Sequence, residues 1–354
     1  MDWKRWFKFA QPEVLGLDIG SSEVKLVQLR KSDSEYSVTA AGTAAVEGAE
    51  DDPRPSQTTT VNAIRKCVES AGAGTQMAVC GISGPEAAVR YFNFPALPPE
   101  EVKGAVLLEA AQVCPFNIDD SAVDYQIVSQ GDSGVRGVLV AATNELIRRK
   151  KELAQNAALK CVLMDIDGLA LLNCFNGFNM AKEDQHQTPQ ATAILNVGDS
   201  YTTLAIMGDN GLPYIRDITY AGNTIVKDIA AHNKLSTKAV RGILSGGKSA
   251  SLPRVQLADS LAKACEKLII DITETLRYYT AQEKNGVVEK IYVCGGFALV
   301  KGFVELLDEK LPARAVFWNP FDKVRCKTDR SGKELLAGRG PAMAVAAGLA
   351  MRSI

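Results

Sequence analysis

The sequence predicts an α/β fold built from two related halves, chiefly because a glycine-turn hairpin occurs twice. The first copy spans residues 15–29 (LGLDIGSSEVKLVQL) and the second spans residues 194–206 (ILNVGDSYTTLAI). Each copy has an apolar strand, a polar residue, a glycine turn with small hydroxyl side chains and a second apolar strand. Strand-like and helix-like segments alternate behind each copy, which is typical of an α/β domain. We expect the ligand to lie in the crevice between the two halves.

Composition narrows the class of protein. A length of 354 residues suffices for two or three domains, and 46% hydrophobic with 23% charged residues is ordinary for a folded soluble protein. The formal net charge of −1 gives no support for nucleic-acid binding. The eight Cys form no CxxC pair and only two His are present, so a zinc site is not expected. Without a long apolar run or a secretory signal, we expect a cytoplasmic protein with reduced thiols.

The secondary structure of the two halves is predicted from the spacing of apolar residues. Short apolar runs indicate strands, and apolar residues recurring every three or four positions indicate helices. In the first half, strands are predicted over 14–30, 35–46, 76–82 and 160–166, and helices over 61–71 and 167–178. In the second half, strands are predicted over 194–206, 214–219 and 290–294, and helices over 224–233, 236–244, 257–283, 300–310 and 340–352. The polar segment at 180–189 is expected to link the halves.

Residues 87–160 are expected to form an inserted αβ module. Strands are predicted over 87–94, 124–130 and 137–142, and helices over 100–113 and 144–159. Pro99 suits the first turn of the first helix, and Asn144 is a candidate cap of the second. The charged run 148–151 is expected on a solvated helix face rather than in an anion site.

The two hairpin turns predict a phosphate site. Gly20-Ser21-Ser22 offers backbone N–H groups and hydroxyls without bulk, and glycine allows a positive φ and the close approach of phosphate oxygens. Asp18 precedes this turn and is suited to hold Mg²⁺ through a water molecule. In the second copy Asn196 aligns with Asp18, and Gly198 aligns with Gly20. One copy alone would favour an ordinary hairpin, but two copies favour a phosphate clamp.

Two further stretches carry candidate chemistry. Gly295-Gly296 follows an apolar strand and would let a base or ribose approach the backbone, although a tight strand–helix turn explains it equally well. Asp165 and Asp167 end another strand, where an acid that polarises water would be useful. Helix capping is the equal alternative for Asp167. The small-residue helix at 340–350 is better explained by close packing than by ligand contact.

Together these elements resemble the nucleotide site of the actin-like ATPase fold. Residues 18–25 match its phosphate-one hairpin, residues 196–203 its phosphate-two hairpin and residues 295–298 its adenosine motif. Within that superfamily the chain resembles the PilM family of type IV pilus assembly proteins, which is related to FtsA. The supporting stretches are FPALPPEE at 94–101, DY at 124–125, LRYY at 276–279, WNPF at 318–321 and AGLAMR at 347–352.

The resemblance implies a division into subdomains around the nucleotide cleft. The module at 87–160 is similar to subdomain 1C, which separates the FtsA branch from actin. The other limits implied are 14–86 and 161–190 for subdomain 1A with 335–354 packing back, 191–222 and 288–334 for 2A, 223–287 for 2B, and a basic, aromatic segment at 1–13.

The resemblance also implies ATP with Mg²⁺ between the halves. Asp18 is the expected catalytic acid and, through water, the metal ligand, and Asp165 is a second catalytic candidate. The expected nucleotide contacts are Gly20, Ser21, Ser22, Lys25, Asn196, Gly198, Asp199, Ser200, Thr202, Gly222, Asn223, Gly295, Gly296 and Phe297.

The implied role is that of a cytoplasmic scaffold at the inner membrane. The family binds the short N-terminal cytoplasmic tail of a PilN-like membrane protein in a groove between subdomains 1A and 1C, and it works with other components of the pilus platform. Residues 91–97 and 100–113 are candidates for the 1C wall of that groove, with the subdomain core as their alternative role. A homodimer, and weak contact of residues 1–13 with a membrane surface, are further options.

Departures from the family pattern lower the expected rate of hydrolysis. Asn196 stands where the family carries an acid, and Val240 and Ile243 stand where it favours Glu and Lys. Asp199 is close enough to compensate, but it also brings a negative charge near the phosphates. We therefore expect nucleotide binding with slow or absent turnover. A small-molecule kinase and a polymerising FtsA-like protein are the alternatives.

Overall fold

A computed structural model describes residues 13–32, 35–48, 56–132, 134–179, 191–208, 210–246, 254–283 and 287–353. The basic, aromatic segment, apart from its last residue, and the linker at 180–189 lie outside these residues.

The strands are β1 (Leu15–Ile19), β2 (Glu23–Ser32), β3 (Glu35–Ala45), β4 (Met77–Ile82), β5 (Ala87–Phe94), β6 (Ser121–Gly131), β7 (Gly134–Thr143), β8 (Lys160–Ile166), β9 (Thr192–Val197), β10 (Thr202–Met207), β11 (Pro213–Ile218), β12 (Lys290–Cys294), β13 (Arg314–Phe317) and β14 (Arg325–Cys326). The helices are α1 (Gln57–Ala71), α2 (Pro99–Val113), α3 (Asn144–Asn156), α4 (Asp167–Asn179), α5 (Gly222–Asn233), α6 (Thr237–Leu244), α7 (Arg254–Gln282), α8 (Phe303–Lys310), α9 (Arg330–Arg339) and α10 (Ala344–Ala350).

The first half is built on a six-stranded mixed sheet in the order β14-β3-β2-β1-β4-β8. On one face, apolar residues of β1 and β2 pack on α1, with Leu15, Leu26 and Ile64 fully buried. On the other face lie α4 and α10. A Cβ on Gly16 would sit 1.9 Å from the carbonyl oxygen of Ala346, which confirms the close packing expected of this small-residue helix.

The second half is built on a five-stranded sheet in the order β11-β10-β9-β12-β13. Helices α5 and α7 cover it, and Ile225, Leu268 and Ile272 are buried between them and the strands. The sequence patterns did not predict β13, β14 or α9. The C-terminal segment predicted as one helix over 340–352 is a short 3₁₀ turn at Gly340–Met343 followed by α10.

A third sheet, in the order β5-β7-β6, lies between β4 and β8 in the chain. Helix α2 packs on one face of it through Val102, Val106 and Ala110. Helix α3 is capped by Thr143, whose hydroxyl accepts from the backbone N–H of Leu146, so the predicted cap at Asn144 is wrong by one residue. The limits of the subdomains stay a prediction.

Candidate functional site

The two glycine-turn hairpins have the same geometry. In the first, Asp18 pairs with Lys25 across the strands, and in the second Asn196 pairs with Thr203 at the equivalent register. Each turn closes through one backbone hydrogen bond, from Gly20 N to Glu23 O at 3.2 Å and from Gly198 N to Tyr201 O at 3.0 Å. The duplicated pattern in the sequence is therefore a duplicated structure.

Glycine is required in both turns because of crowding rather than because of φ. Neither Gly20 nor Gly198 has a positive φ, so this part of the sequence argument was wrong. A Cβ would lie 2.8 Å from the carbonyl oxygen of Glu23 in the first turn and 2.9 Å from that of Tyr201 in the second. Both turns thus keep their backbone free of side-chain bulk on the inner side.

The two turns meet across the boundary between the halves. The Ser200 hydroxyl donates to the Ser21 hydroxyl at 2.7 Å, and Ser21 also donates to a carboxylate oxygen of Asp199 at 3.3 Å. Ser22 lies beside them, and its carbonyl oxygen accepts from the backbone N–H of Val46 at 2.9 Å. The structure therefore brings together the turn residues that the sequence analysis placed in one cleft.

Asp18 is held by an ion pair within its own hairpin. The Lys25 ammonium lies 3.0 Å from Oδ2 of Asp18, and both side chains are about 85% buried. Burial disfavours the charged form of Lys25, but the negative charges of Asp18 and Glu23 outweigh it and raise the pKa of the ammonium group. The pair places one fixed cation and one carboxylate beside the first turn.

Asp167, rather than Asp165, feels the charge of Asp18. The carboxylate of Asp165 is paired with Arg352 at 3.2 Å, and its catalytic role stays a prediction. Burial, and after it the charge of Asp18, raises the pKa of Asp167 to about 7, although a hydrogen bond from Ser83 acts in the opposite direction. Oδ1 of Asp167 is sealed from solvent, and none of the residues that the structure describes bonds to it.

Lys150 also reaches this region, contrary to the expectation that its charged run is solvated. Its ammonium group donates to the carbonyl oxygen of Ile19 at 2.7 Å, directly before the first turn. Its charge acts on Asp167 and lowers the pKa of that carboxyl, against the larger effect of burial. Helical periodicity had grouped Lys150 with its neighbours and gave no signal for this contact.

The start of α5 is fastened to the second turn. The backbone N–H groups of Gly222 and Asn223 donate to the carbonyl oxygens of Gly198 and Asp199 at 3.0 and 2.9 Å. Arg241 of α6 clamps the same corner, donating to Asp199 at 3.0 Å and to the side-chain oxygen of Asn223 at 2.9 Å. The charge of Asp199 is thus partly neutralised before any ligand binds.

Helix α6 presents Arg241 to this corner, one residue from the position considered in the sequence. Val240 is only 1% exposed and belongs to the core, so it cannot serve as a polar ligand. The Nε of Arg241 is buried and has no hydrogen-bond partner within the described part of the chain, although the other two guanidinium nitrogens are bonded. One donor of this side chain remains available.

Two predicted contact residues are engaged within the second half. Thr202 is fully buried and its hydroxyl donates to the carbonyl oxygen of Tyr220 at 2.9 Å. Phe297 packs in the core against Phe303, with ring centroids 4.9 Å apart, and covers Gly222. Both side chains therefore have partners within the protein, and their contact with a ligand stays a prediction.

The Gly-Gly turn approaches the second hairpin. Gly295 has φ +93° and a Cβ there would lie 2.4 Å from the carbonyl oxygen of Val197 and 2.7 Å from Oδ1 of Asn196. Position 295 therefore requires glycine because strand β9 packs directly against it. The Cβ position of Gly296 meets nothing within 4 Å, so only this glycine leaves open space for a ligand.

A separate groove of about 1050 Å³ lies between β5 and β11. We call it the partner groove. Its walls include Gly84, Pro85, Arg90, Tyr91, Val113, Tyr214, Asp217, Glu274 and Tyr278. Strands β5 and β11 are both outer strands of their sheets, so each has unpaired backbone groups along one edge. The hydroxyl of Tyr91 is buried there, and no residue in the described ranges forms a hydrogen bond with it.

The groove differs in place from the one that the family resemblance implied. That groove was expected between subdomains 1A and 1C, whereas this one lies mainly between β5 of the inserted module and β11 of the second half. Of residues 91–97 and 100–113, Tyr91 and Val113 line it. Phe92, Val102 and Val106 are instead buried between α2 and the third sheet, so the alternative core role applies to these three residues.

Within the described part of the chain, no three His, Cys, Asp or Glu residues cluster so as to hold a metal by themselves. A search of the same residues also finds no helix with the length and hydropathy needed to cross a bilayer.

The family model of type IV pilus assembly protein PilM matches residues 16–354. Among curated proteins, cell division protein FtsA of Pseudomonas aeruginosa is 23% identical, over 84% of this chain and 80% of that protein. FtsA of Bacillus subtilis is also 23% identical, over 93% of this chain and 74% of that protein.

Solved structures agree on the fold. A chain from a PilM–PilN type IV pilus biogenesis complex matches with a TM-score of 0.80 at 23% identity, covering 97% of this chain and 98% of that one. The ethanolamine utilization protein EutJ from Carboxydothermus hydrogenoformans matches with a TM-score of 0.54 at 15% identity, covering 96% and 89%. The predicted actin-like ATPase fold is confirmed.

Proposed function

The chain belongs to the PilM family of type IV pilus assembly proteins, and from that premise we propose that it is a nucleotide-binding scaffold of a pilus assembly complex. The observation that carries the proposal is the meeting of two matched hairpin turns, one from each half, through the hydroxyls of Ser21 and Ser200. Backbone turns with small hydroxyl residues are suited to polyphosphate oxygens. The ligand proposed is ATP with Mg²⁺.

The side chains beside the turns fit this ligand. Asp18 and Asp167 supply carboxylate oxygens, which Mg²⁺ prefers, and Oδ1 of Asp167 has no partner among the described residues. Lys25, Lys150 and Arg241 supply cations for the phosphates. When bound, Mg²⁺ would neutralise phosphate charge and orient the terminal phosphoryl group. Asp18 and Asp167 would hold it through water, while the serine hydroxyls bind phosphate oxygens.

We propose that hydrolysis is slow or absent. Asn196 brings no negative charge to the second hairpin, and its Oδ1 is turned towards Gly295 and the thiol of Cys294, which lies 3.9 Å away. A neutral amide cannot take a proton from an attacking water as a carboxylate does.

Release of phosphate from ATP tests this proposal. Wild-type turnover is expected far below 1 s⁻¹, and Asn196→Asp is expected to raise Mg²⁺-dependent affinity or rate. Turnover of the order of 1 s⁻¹ in the wild type would exclude the scaffold interpretation of this site. If Asn196→Asp leaves both quantities unchanged, residue 196 does not limit the reaction.

We propose that the partner groove takes the N-terminal cytoplasmic tail of a PilN-like inner-membrane protein, which holds this chain at the membrane surface. The family membership and the PilM–PilN complex among the matching structures support this partner. The groove offers two free strand edges and three tyrosines, which suit an extended peptide.

Titration with that peptide tests the location. Tyr278 is 53% exposed in the groove wall, and Tyr278→Ala is expected to weaken binding about tenfold. Phe317 is equally exposed, at 52%, on strand β13 at the opposite edge of the second sheet. Phe317→Ala therefore serves as the matched control and should leave the affinity unchanged. Equal effects of the two substitutions would place the peptide elsewhere.

A further inference from the structure

We propose that Asp217 couples the partner groove to the nucleotide cleft, so that bound nucleotide changes the affinity for the partner peptide. The inference rests on the proposed function of both sites and adds a connection between them. It starts from one carboxylate that lies in the groove wall and is bonded to both halves of the molecule.

Asp217 accepts two short hydrogen bonds, one from each half. Its Oδ2 accepts from the backbone N–H of Gly84 in the first half at 2.7 Å, and its Oδ1 accepts from the hydroxyl of Thr203 in the second half at 2.6 Å. Burial raises the pKa of this carboxyl, although both hydrogen bonds lower it. A carboxylate with both oxygens engaged in this way has little freedom to follow only one half.

The bond to Thr203 continues across the second sheet to the nucleotide hairpin. Asp217 lies directly opposite Thr203, and Thr203 lies directly opposite Asn196. Residues opposite each other in a sheet project from the same face. A row of three side chains therefore runs from the second hairpin, next to its glycine turn, to the groove wall.

On the side of the first half, the residues around this contact are closely packed. Gly84 has φ +96°, and a Cβ there would lie 2.9 Å from the ring of Tyr201, the last residue of the second turn. Two residues before Asp217, Ile215 packs on Gly168, whose Cβ would lie 2.4 Å from the Ile215 side chain. Movement of β11 relative to the first half must therefore displace the atoms packed around Gly84 and Gly168.

Nucleotide binding has to disturb the other contact between the halves. The hydroxyls of Ser21 and Ser200 are bonded to each other, so phosphate oxygens that take these hydroxyls must break that bond. A shift of the second turn is carried by β10 to Thr203 and Asp217. Strand β5 follows Gly84 and Pro85 in the chain, and β11 carries Asp217, so the hydrogen bond between Gly84 and Asp217 connects the two walls of the groove. The distance between the walls changes when the two halves move at this hydrogen bond.

The test compares the dissociation constant of a synthetic PilN-like N-terminal peptide with and without saturating ATP and Mg²⁺. For the wild-type chain we expect the two constants to differ at least fivefold, within the usual range of coupling between sites. Thr203→Val removes the hydroxyl that donates to Asp217, and it should bring the ratio to within twofold of one while each ligand still binds. Thr203→Ser keeps the hydroxyl and should keep the ratio.

A second readout needs no peptide. Hydrogen exchange at the Gly84 amide reports its bond to Asp217, and ATP should alter this exchange in the wild type and in Thr203→Ser. If peptide and ATP both bind to the wild type but the ratio is one, the coupling is refuted and the proposed function stands. If Thr203→Val retains the ratio, the path through Asp217 is refuted. If either ligand fails to bind, the proposed function fails, and the coupling fails with it.

Discussion

The buried carboxyl of Asp167 should make the stability of this protein depend on pH. Its pKa is raised from the ordinary 3.8 to about 7 by burial and by the charge of Asp18. The folded protein therefore holds this proton more tightly than the unfolded chain does. The contribution of this group to stability is present in full below about pH 4, and it is lost as the pH rises from about 4 to about 7. Asp167→Asn replaces the acid by a neutral side chain of the same shape.

The magnitude follows from the two pKa values. A difference of about three pH units corresponds to ~4 kcal/mol at most, since one unit corresponds to 1.36 kcal/mol. At pH 8 the Asp167→Asn variant should exceed the wild type in free energy of unfolding by up to this amount. Near pH 4 the neutral acid and the amide are alike, so the two proteins should be nearly equally stable.

Urea denaturation at several values between pH 4 and 8, without nucleotide, measures this difference. Asp132→Asn is the control. Asp132 lies on an exposed turn, so its substitution should change the free energy of unfolding only slightly at every pH. Parallel profiles for the wild type and Asp167→Asn would refute the reasoning, because they would show that Asp167 binds its proton equally in both states.

Other substitutions test the packing and the corner beside the second turn. Gly348→Ala should lower the free energy of unfolding by about 3 kcal/mol, because the new Cβ would lie 1.8 Å from the carbonyl oxygen of Ala170. Gly104→Ala is the matched control in helix α2, where nothing lies within 4 Å, and denaturation should show a gain of about 0.5–1 kcal/mol. Arg241→Ala should weaken ATP binding about tenfold in calorimetric titration, because Asp199 is then left with an uncompensated charge. Adding Asp199→Asn should restore most of the affinity; no recovery would contradict this explanation.

The hairpins were recognisable in the sequence because each is a local structure. The bond that closes a turn joins residues three apart, from Gly20 to Glu23 and from Gly198 to Tyr201, so the spacing of small and apolar residues is enough to reveal it. The repeat of that pattern also indicated two related halves, and the family resemblance indicated the actin-like fold.

The neighbouring side chains were harder to assign because they act across long separations in the chain. The strand end marked Asp165 and Asp167 equally as candidates, but the chain changes from β8 to α4 between them, and the charge of Asp18 acts on Asp167. Lys150 reaches the first turn from a helix in the inserted module, although its local pattern is that of an ordinary charged surface residue.

The sequence by itself determined the two turns, their alternating strands and helices, and the neutral residue Asn196 in the second copy. Only the tertiary structure decided which charges surround the turns and how the halves touch. The physical reason is that turn geometry depends on a few adjacent residues, whereas a joint such as Asp217 with Gly84 and Thr203 depends on the packing of separate sheets. The function proposed for the cleft begins with the first kind of information, and its connection to the groove depends on the second.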